Sequence, residues 1–383
     1  MEPKNNYVRL NWVFVLDSFI PKETMKDKKT LFDFDDILIE PEVISPIRSR
    51  KSVDVHDSLQ MLPIFTAPMD TVISEDNIEI FNNQKIYTIL PRKITYTDQD
   101  ISTYPKVWKS YGMEDFREFF LKRVKKIPIG ERVYVLIDIA NGHMKDLHDM
   151  VAQAKKAYGS TMCLMVGNCA NPSTYLAMAQ AGADYVRMGI GNGAGCLTTV
   201  QTGIGYPMAS LIYETCKIQK ERNLSAKIVA DGGFKKYSDI IKALALGADY
   251  VMLGSIFNKA LESSGDTYEG NTKYNSWTEP GEMVDQYSDS IYKEFSIGKK
   301  FFKKFRGMST KEVQKSLGKE VLNTSEGISK IQPVEYTLSG WRENFEDYLK
   351  SAMSYTGCYT IGEFIGNVNF NLITRSAFER FNK

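Results

Sequence analysis

Gly182-Ala183-Asp184-Tyr185-Val186 and Gly247-Ala248-Asp249-Tyr250-Val251 are two copies of one pattern. Each copy follows an Ala-rich helical stretch, so its glycine falls where a helix C-cap needs a left-handed residue. Each then enters a short apolar run, closed by Gly189 in the first copy and Gly254 in the second. The pattern reads as the helix-to-strand joint of an αβ unit, met twice.

The same rhythm extends outward from residue 62. Short apolar runs occur at 62–66, 86–90, 107–111, 133–139, 162–166, 185–188, 227–230 and 250–253. Rich in Val and Ile and bounded by Gly or Pro, they read as strands buried on both faces. Between them, 114–126, 148–157, 174–181 and 238–246 carry helical spacing. Eight strands alternating with helices predict an α/β fold, a (β/α)8 TIM barrel, with the two copied joints leading into strands six and eight. Residues 1–30 lack clear periodicity and read as an N-terminal extension. Residues 31–383 read as a single barrel domain that begins with an extended stretch at 32–41. A flap insertion at about 262–330 interrupts it. Tyr268, Tyr274, Trp277, Tyr287 and Tyr292 fall in that insertion, which reads either as an elaborated lid or subunit contact or as a surface addition without a role.

Bulk properties bound the function. The chain has 383 residues, 43% hydrophobic and 25% charged, with a formal net charge of +1. That is ordinary globular composition, with no general attraction to nucleic acid or an acidic membrane. No apolar run approaches the ~18 residues of a membrane span, and the N-terminus lacks a basic-then-apolar signal pattern. Five cysteines, an odd number without a C-x-x-C pair, imply free thiols in a reducing compartment and hence a cytoplasmic protein. His143 and His148 lack partners at metal-ligand spacing, which argues against a structural zinc.

In such barrels function gathers where the strands end. After strand six runs Gly189-Ile190-Gly191-Asn192-Gly193-Ala194-Gly195-Cys196-Leu197-Thr198-Thr199. Alternating glycines let the backbone approach a ligand or ion closely, and a cysteine held at the end of such a loop is how a nucleophile is presented. The plainer reading is a Gly-rich turn around a buried Cys. After strand seven comes Asp231-Gly232-Gly233, and after strand eight Gly254-Ser255. Loops there commonly seat a phosphate on backbone N–H groups, and Asp231 suits both hydroxyls of a ribose. Asp-Gly-Gly is also an ordinary turn. No G-x-G-x-x-G follows a strand, so a dinucleotide would bind without a Rossmann domain. Together these residues imply covalent thiol chemistry on a phosphorylated nucleoside.

At this point the chain resembles the IMP dehydrogenase/GMP reductase family. The matching stretches are Phe34-Asp35-Asp36-Ile37-Leu38, Pro68-Met69-Asp70-Thr71-Val72, the loop 189–198, Ala230-Asp231-Gly232-Gly233, Val251-Met252-Leu253-Gly254-Ser255, Arg306-Gly307-Met308-Ser309 and Ser325-Glu326-Gly327. The resemblance implies Cys196 as the nucleophile at purine C2, with Thr198 and Glu326 moving protons there. It implies substrate contacts from Asp231, Gly232, Gly233, Gly254, Ser255, Gly307, Met308, Ser309 and Gly327. It implies a nicotinamide cofactor, NADPH or NAD, on Arg92, Asp138, Ala140 and Asn168, with Ser49 and Arg50 near its far end. Backbone carbonyls of Gly191, Gly193 and Cys196 would hold a monovalent cation such as K+. The partner would be a purine nucleoside monophosphate, and the assembly a homotetramer.

Within the family, the short span between Leu90 and Val107 leaves no room for the regulatory domains that dehydrogenases insert there. Residues 311–325 contain neither Arg nor Tyr, whereas dehydrogenases need that pair to activate water. The implied activity is therefore NADPH-dependent GMP reductase, giving IMP and ammonia. The alternatives are an IMP dehydrogenase without regulatory domains and a non-catalytic nucleotide sensor; an unrelated Schiff-base barrel would need a buried strand-end lysine. Several residues depart from the family pattern. Ala194 stands where a phosphate-binding Ser is usual, Thr199-Val200 where Thr-Arg is, Met208 where Gln is, and Asn323 where reductases have Arg.

Overall fold

A computed structural model of the chain describes residues 29–93, 107–122, 127, 131–270, 281–318, 322 and 324–381. The chain divides between Leu31 and Phe32 into two units, Met1–Leu31 and Phe32–Lys383. Nearly all of the 1–30 extension lies outside the described residues.

Eight parallel strands form the centre of the second unit: β1 (Ile64–Thr66), β2 (Ile89–Leu90), β3 (Trp108–Tyr111), β4 (Val133–Asp138), β5 (Met162–Cys169), β6 (Tyr185–Met188), β7 (Lys227–Asp231) and β8 (Tyr250–Leu253). Each pairs with the next from β2 to β8, and β8 pairs with β1 through Ile64 and Val251. A parallel bridge between Phe65 and Tyr87 closes the ring. Thr66 N there donates to Tyr87 O at 2.9 Å, and Tyr87 N to Ile64 O at 3.0 Å. The fold is the (β/α)8 barrel expected from the alternating runs. The helices include α1 (Ile78–Asn83), α2 (Lys145–Tyr158), α3 (Pro172–Ala181), α4 (Met208–Glu221), α5 (Tyr237–Leu246), α6 (Asp289–Ser296), α7 (Lys311–Ser316) and α8 (Leu338–Tyr355). Gly182 and Gly247, the glycines of the duplicated joint, cap α3 and α5 with φ of 105° and 112°.

The strands are largely buried because both faces are covered. Val133, Val135 and Ile137 of β4 pack outward against the helices, while Leu136 packs into the barrel. The same two-residue alternation places Phe65, Trp108, Met165, Val229 and Met252 inside. It also places Tyr185 and Tyr250 there, and Phe65 meets those two rings at centroid distances of 6.1 and 5.1 Å. Below them Asp57 accepts from Tyr87 Oη at 2.5 Å and Tyr250 Oη at 3.2 Å. The N-terminal end of the barrel is therefore filled.

Three elements differ from their sequence reading. The helix expected at 114–126 is α-helical only over Met113–Phe116 and then widens into a π-helical turn over Arg117–Lys122. Phe116, Phe119 and Phe120 are all buried, and each rings against Tyr111. The flap insertion is an antiparallel sheet, β9 (Thr267–Glu269), β10 (Met283–Val284), β11 (Phe301–Arg306) and β12 (Ser329–Pro333), in the order β10-β9-β11-β12. Leu261, Ile291, Phe301 and Val334 give it a core of its own. Tyr274 and Trp277 lie outside the described residues. The stretch expected to be extended over 32–41 is broken by a 3-10 turn at Phe34–Asp36, capped by Asp33, and only Ile37–Ile39 is a strand, which pairs antiparallel with Phe370–Leu372 and ties the start of the unit to its end. No helix among the described residues is long and apolar enough to cross a membrane.

Candidate active site

A cavity of about 460 Å³ opens where the barrel strands end. The loop after β6 forms one wall. Gly191 takes a φ of 80°, and a side chain there would put its Cβ 1.7 Å from Thr199 Oγ1. Only glycine lets the loop fold so closely onto the helical turn that follows Cys196. Cys196 N then donates to Gly193 O at 2.9 Å.

Three distant segments are stitched together around the cysteine. Leu197 N donates to Glu326 O at 2.7 Å, Ile328 N to Gly195 O at 3.1 Å, and Gly307 N to Ile328 O at 2.9 Å. This brings Glu326 to the Cys loop. The Cys196 thiol donates to Thr198 Oγ1 at 3.3 Å, and Thr198 Oγ1 donates to the Glu326 carboxylate. The result is an unbroken path for a proton from thiol to carboxylate. Cys196 is partly exposed at the cavity, while the other four cysteines are buried. Burial pushes the thiols of Cys163 and Cys169 up to about 12, which makes them inert.

The opposite wall carries charge. Asp138, Arg187 and Asp231 occupy inward-facing positions at the ends of β4, β6 and β7. Arg187 Nη1 donates to Asp138 Oδ1 at 2.5 Å, and its Nε donates to Asp231 Oδ2 at 2.9 Å. Asn168 Nδ2 adds a second donor to Asp231 Oδ2 at 2.6 Å and another to Gly189 O at 2.8 Å. Asp231 Oδ1 faces no donor among the described residues, so the carboxylate keeps one oxygen for a ligand. Arg92 Nε lies 3.4 Å from Asp138 Oδ2 and is buried without a hydrogen-bond partner. An orphaned guanidinium N–H beside a carboxylate, in a cavity, suits an amide or hydroxyl of a bound cofactor.

The cavity gathers most of the expected residues. Cys196, Thr198, Glu326, Asp231, Gly232, Gly233, Gly254, Ser255, Gly307, Met308 and Ser309 line it, as do Arg92, Asp138, Ala140, Asn168, Gly191 and Gly193. Gly327 stands just behind the wall, paired with Cys196. Ser49 and Arg50 are not brought to it. Ser49 caps a 3-10 turn, Arg50–Ser52, that packs on α8. Asn168 lines the cavity, but its amide is directed at Asp231 rather than outward. Of the three carbonyls expected around a cation, Gly193 O is already engaged by Cys196 N. No cluster of three His, Cys, Asp or Glu side chains among the described residues is arranged to hold a metal.

Arg187 is the residue that sequence reasoning passed over. Its signal was a lone charge at an inward position of an apolar strand. Asn192, Phe305, Gln314 and Leu317 also line the cavity, the last three supplied by the flap. Among the departures, Ala194 lines the cavity without a hydroxyl, and Thr199 Oγ1 is bound to Ile204 O at 2.6 Å. Val200 is 79% exposed and Met208 is buried. Asn323 lies outside the described residues.

A family model described as IMP dehydrogenase / GMP reductase domain matches residues 116–381. The chain belongs to the IMP dehydrogenase/GMP reductase family. Similar proteins include a GMP reductase of Caenorhabditis elegans, 26% identical over 368 residues, which are 91% of this chain and 94% of that protein. A GMP reductase of Vibrio vulnificus is 28% identical over 88% of this chain and 93% of its own length. An inosine-5'-monophosphate dehydrogenase of Chlorobaculum tepidum is 32% identical over 250 residues, covering 63% of this chain and 45% of that protein. Membership in this family makes the protein an oxidoreductase-type barrel of purine nucleotide chemistry.

Proposed function

We propose that the protein is a GMP reductase, converting GMP to IMP and ammonia with NADPH. The observation that carries the reading is the hydrogen-bonded chain from the Cys196 thiol through Thr198 to Glu326. It gives the thiol a base to deprotonate it and gives the same proton a route back. In this reading the purine lies along Gly307-Met308-Ser309, the ribose hydroxyls bind the unengaged Oδ1 of Asp231, and the phosphate rests on Gly233, Gly254 and Ser255. Cys196 loses its proton through Thr198 to Glu326, and its sulfur adds to C2 of GMP as the C2=N3 π bond opens and its electron pair moves to N3. Glu326 and Thr198 return a proton to the C2 amine, the C2–N bond breaks, and ammonia leaves a thioimidate on Cys196. The nicotinamide, held near Arg92, Asp138 and Ala140, supplies the hydride for C2 when bound. The C2–S bond then breaks as the C2=N bond re-forms, IMP leaves, and the thiolate takes up one proton from solvent by way of Glu326 and Thr198. No step needs an activated water, in keeping with the absence of Arg and Tyr from 311–325.

The test is loss of NADPH absorbance on addition of GMP, with wild type and Cys196→Ala. Oxidation in wild type only is expected; oxidation in both, or in neither, rejects the assignment. Similarity to the Chlorobaculum dehydrogenase favours a second reading, oxidation of IMP to XMP. NAD reduction on addition of IMP would establish that reading instead.

A further inference from the structure

Barrel geometry singles out Arg187. Inward positions recur every second residue along a strand. At the last inward positions of four consecutive strands, β4 presents Asp138, β5 presents Gly167, β6 presents Arg187 and β7 presents Asp231, which stands one inward position beyond Val229, the register partner of Arg187. The register places Asp138 beside Gly167 and Gly167 beside Arg187. Arg187 thus has a carboxylate on the adjacent strand and another two strands away. It reaches the far one because the intervening position has no side chain. A Cβ on Gly167 would lie 2.6 Å from Arg187 Cβ and 2.5 Å from Arg187 O.

The Arg187 side chain is only 10% exposed, and its Nη1 and Nε each meet a different carboxylate. A planar guanidinium with donors in a fixed fork can hold two acceptors at a set separation, which a lysine ammonium on a flexible stem cannot. A buried cation between two buried anions also locks their positions together, since moving either one leaves charge uncompensated. Asp231 belongs to the nucleotide side of the cavity and Asp138 to the cofactor side.

We propose that Arg187 is a positioning residue that couples the nucleotide and cofactor sites, by bridging Asp231 to Asp138 across the side-chain-free position of Gly167. The inference rests on the assignment of those two carboxylates to the two ligands. Whatever moves Asp231 is transmitted to Asp138, so occupancy of one site changes affinity at the other. Coupling free energies of this kind typically amount to 5–150-fold in affinity.

The test is calorimetric titration of the whole protein with GMP and with NADP+, a pair that cannot react. Asp231→Asn should weaken NADP+ binding about tenfold, and Asp138→Asn should weaken GMP binding about tenfold. In an Arg187→Lys background, which keeps the charge but not the fork, both cross-effects should vanish. Cross-effects that persist in Arg187→Lys, or are absent from the start, overturn the bridge. Failure of wild type to bind either ligand rejects the functional reading instead. The bridge is then decided by thermal unfolding of the ligand-free variants. Asp138→Asn and Asp231→Asn should be non-additive by about 2 °C or more with Arg187 and additive with Lys; additivity in both backgrounds overturns it.

Discussion

Thr198 Oγ1 donates to the carboxylate of Glu326, a residue 128 positions later in the chain. The contact depends on backbone pairing between the Cys loop and residues 326–328, which lead into the last strand of the flap, so the Thr198–Glu326 contact and the seating of the flap share one set of hydrogen bonds. Glu326→Gln preserves the shape and removes the base. We expect kcat for NADPH oxidation to fall by about 10²–10⁴-fold, the usual worth of a positioned acid–base group. Substrate binding should remain within a few fold. Unchanged kcat in stopped assays of Glu326→Gln would remove the carboxylate from the mechanism.

The Cys loop itself should be intolerant at one point. Gly191→Ala combines a positive φ with a Cβ that would fall on Thr199 Oγ1. We expect a loss of more than about 1 kcal/mol in stability, together with loss of activity. Thr199→Ala introduced alongside should recover part of the stability but not all, because the backbone strain stays. Thermal unfolding of the single and double variants would decide; full recovery in the double variant would mean that the strain at residue 191 is negligible.

Arg306 fastens the flap to the barrel. On β11 it pairs with Asp70 in the loop after β1 and with Glu312 of α7 at 2.5 Å. Glu312 also pairs with Lys304 at 2.7 Å, and this hydrogen bond, with the charge of Arg306, holds its carboxyl below the usual glutamate range. Arg306→Gln should loosen the flap while leaving the barrel core untouched. KM for the nucleotide should rise several-fold with little change in melting temperature, and limited proteolysis should speed up within 306–325. Proteolysis at the wild-type rate would show that the ion pairs do not hold the flap.

His56 is set between Asp54, at 2.9 Å, and Glu346, at 3.7 Å. The facing Glu346 carboxylate raises the histidine above its usual value, and the same ion pair, with Arg342, holds Glu346 down at about 2. The histidine contribution to stability is present below pH 6.5 and fades as pH rises through the raised value. The glutamate contribution is present above pH 4.5 and fades as pH falls toward 2. The pair therefore contributes most between about pH 4.5 and 6.5. With only three histidines in the chain, His56 can be followed by NMR. Glu346→Gln should move its titration midpoint downward. An unmoved midpoint would mean that Asp54 alone sets it.

How far the sequence foretold the molecule depends on the scale of the signal. The barrel strands were legible because β-strands buried on both faces leave apolar runs, the third, with Lys109 and Ser110 inside it, being the faintest, and the joint before β6 and β8 was written twice. The flap sheet was not, since β9 and β10 are two or three residues long and held by partners far off in sequence. Thr198 and Glu326 were paired through family resemblance, but the thiol-to-carboxylate path needs the 326–328 segment folded back on the Cys loop, which no local pattern encodes. Arg187 was hidden for a different reason. Its strand was legible, but its two carboxylate partners are assigned by barrel register, and register across closed parallel strands is a tertiary property. Ser49 and Arg50 show the converse case, a local match that the chain does not bring to the cavity.

The interlocked rings inside the barrel and the Asp57 seal beneath them have a consequence for traffic. Among the described residues, the barrel filled at its lower end leaves the rim as the way in. On the proposed function, nucleotide, cofactor and ammonia would all pass that same rim, under the same flap. The two large ligands would then share a passage even while occupying separate seats. In such a vestibule the order of arrival would be a matter of depth, with the molecule nearer the Cys196 wall entering first and leaving last.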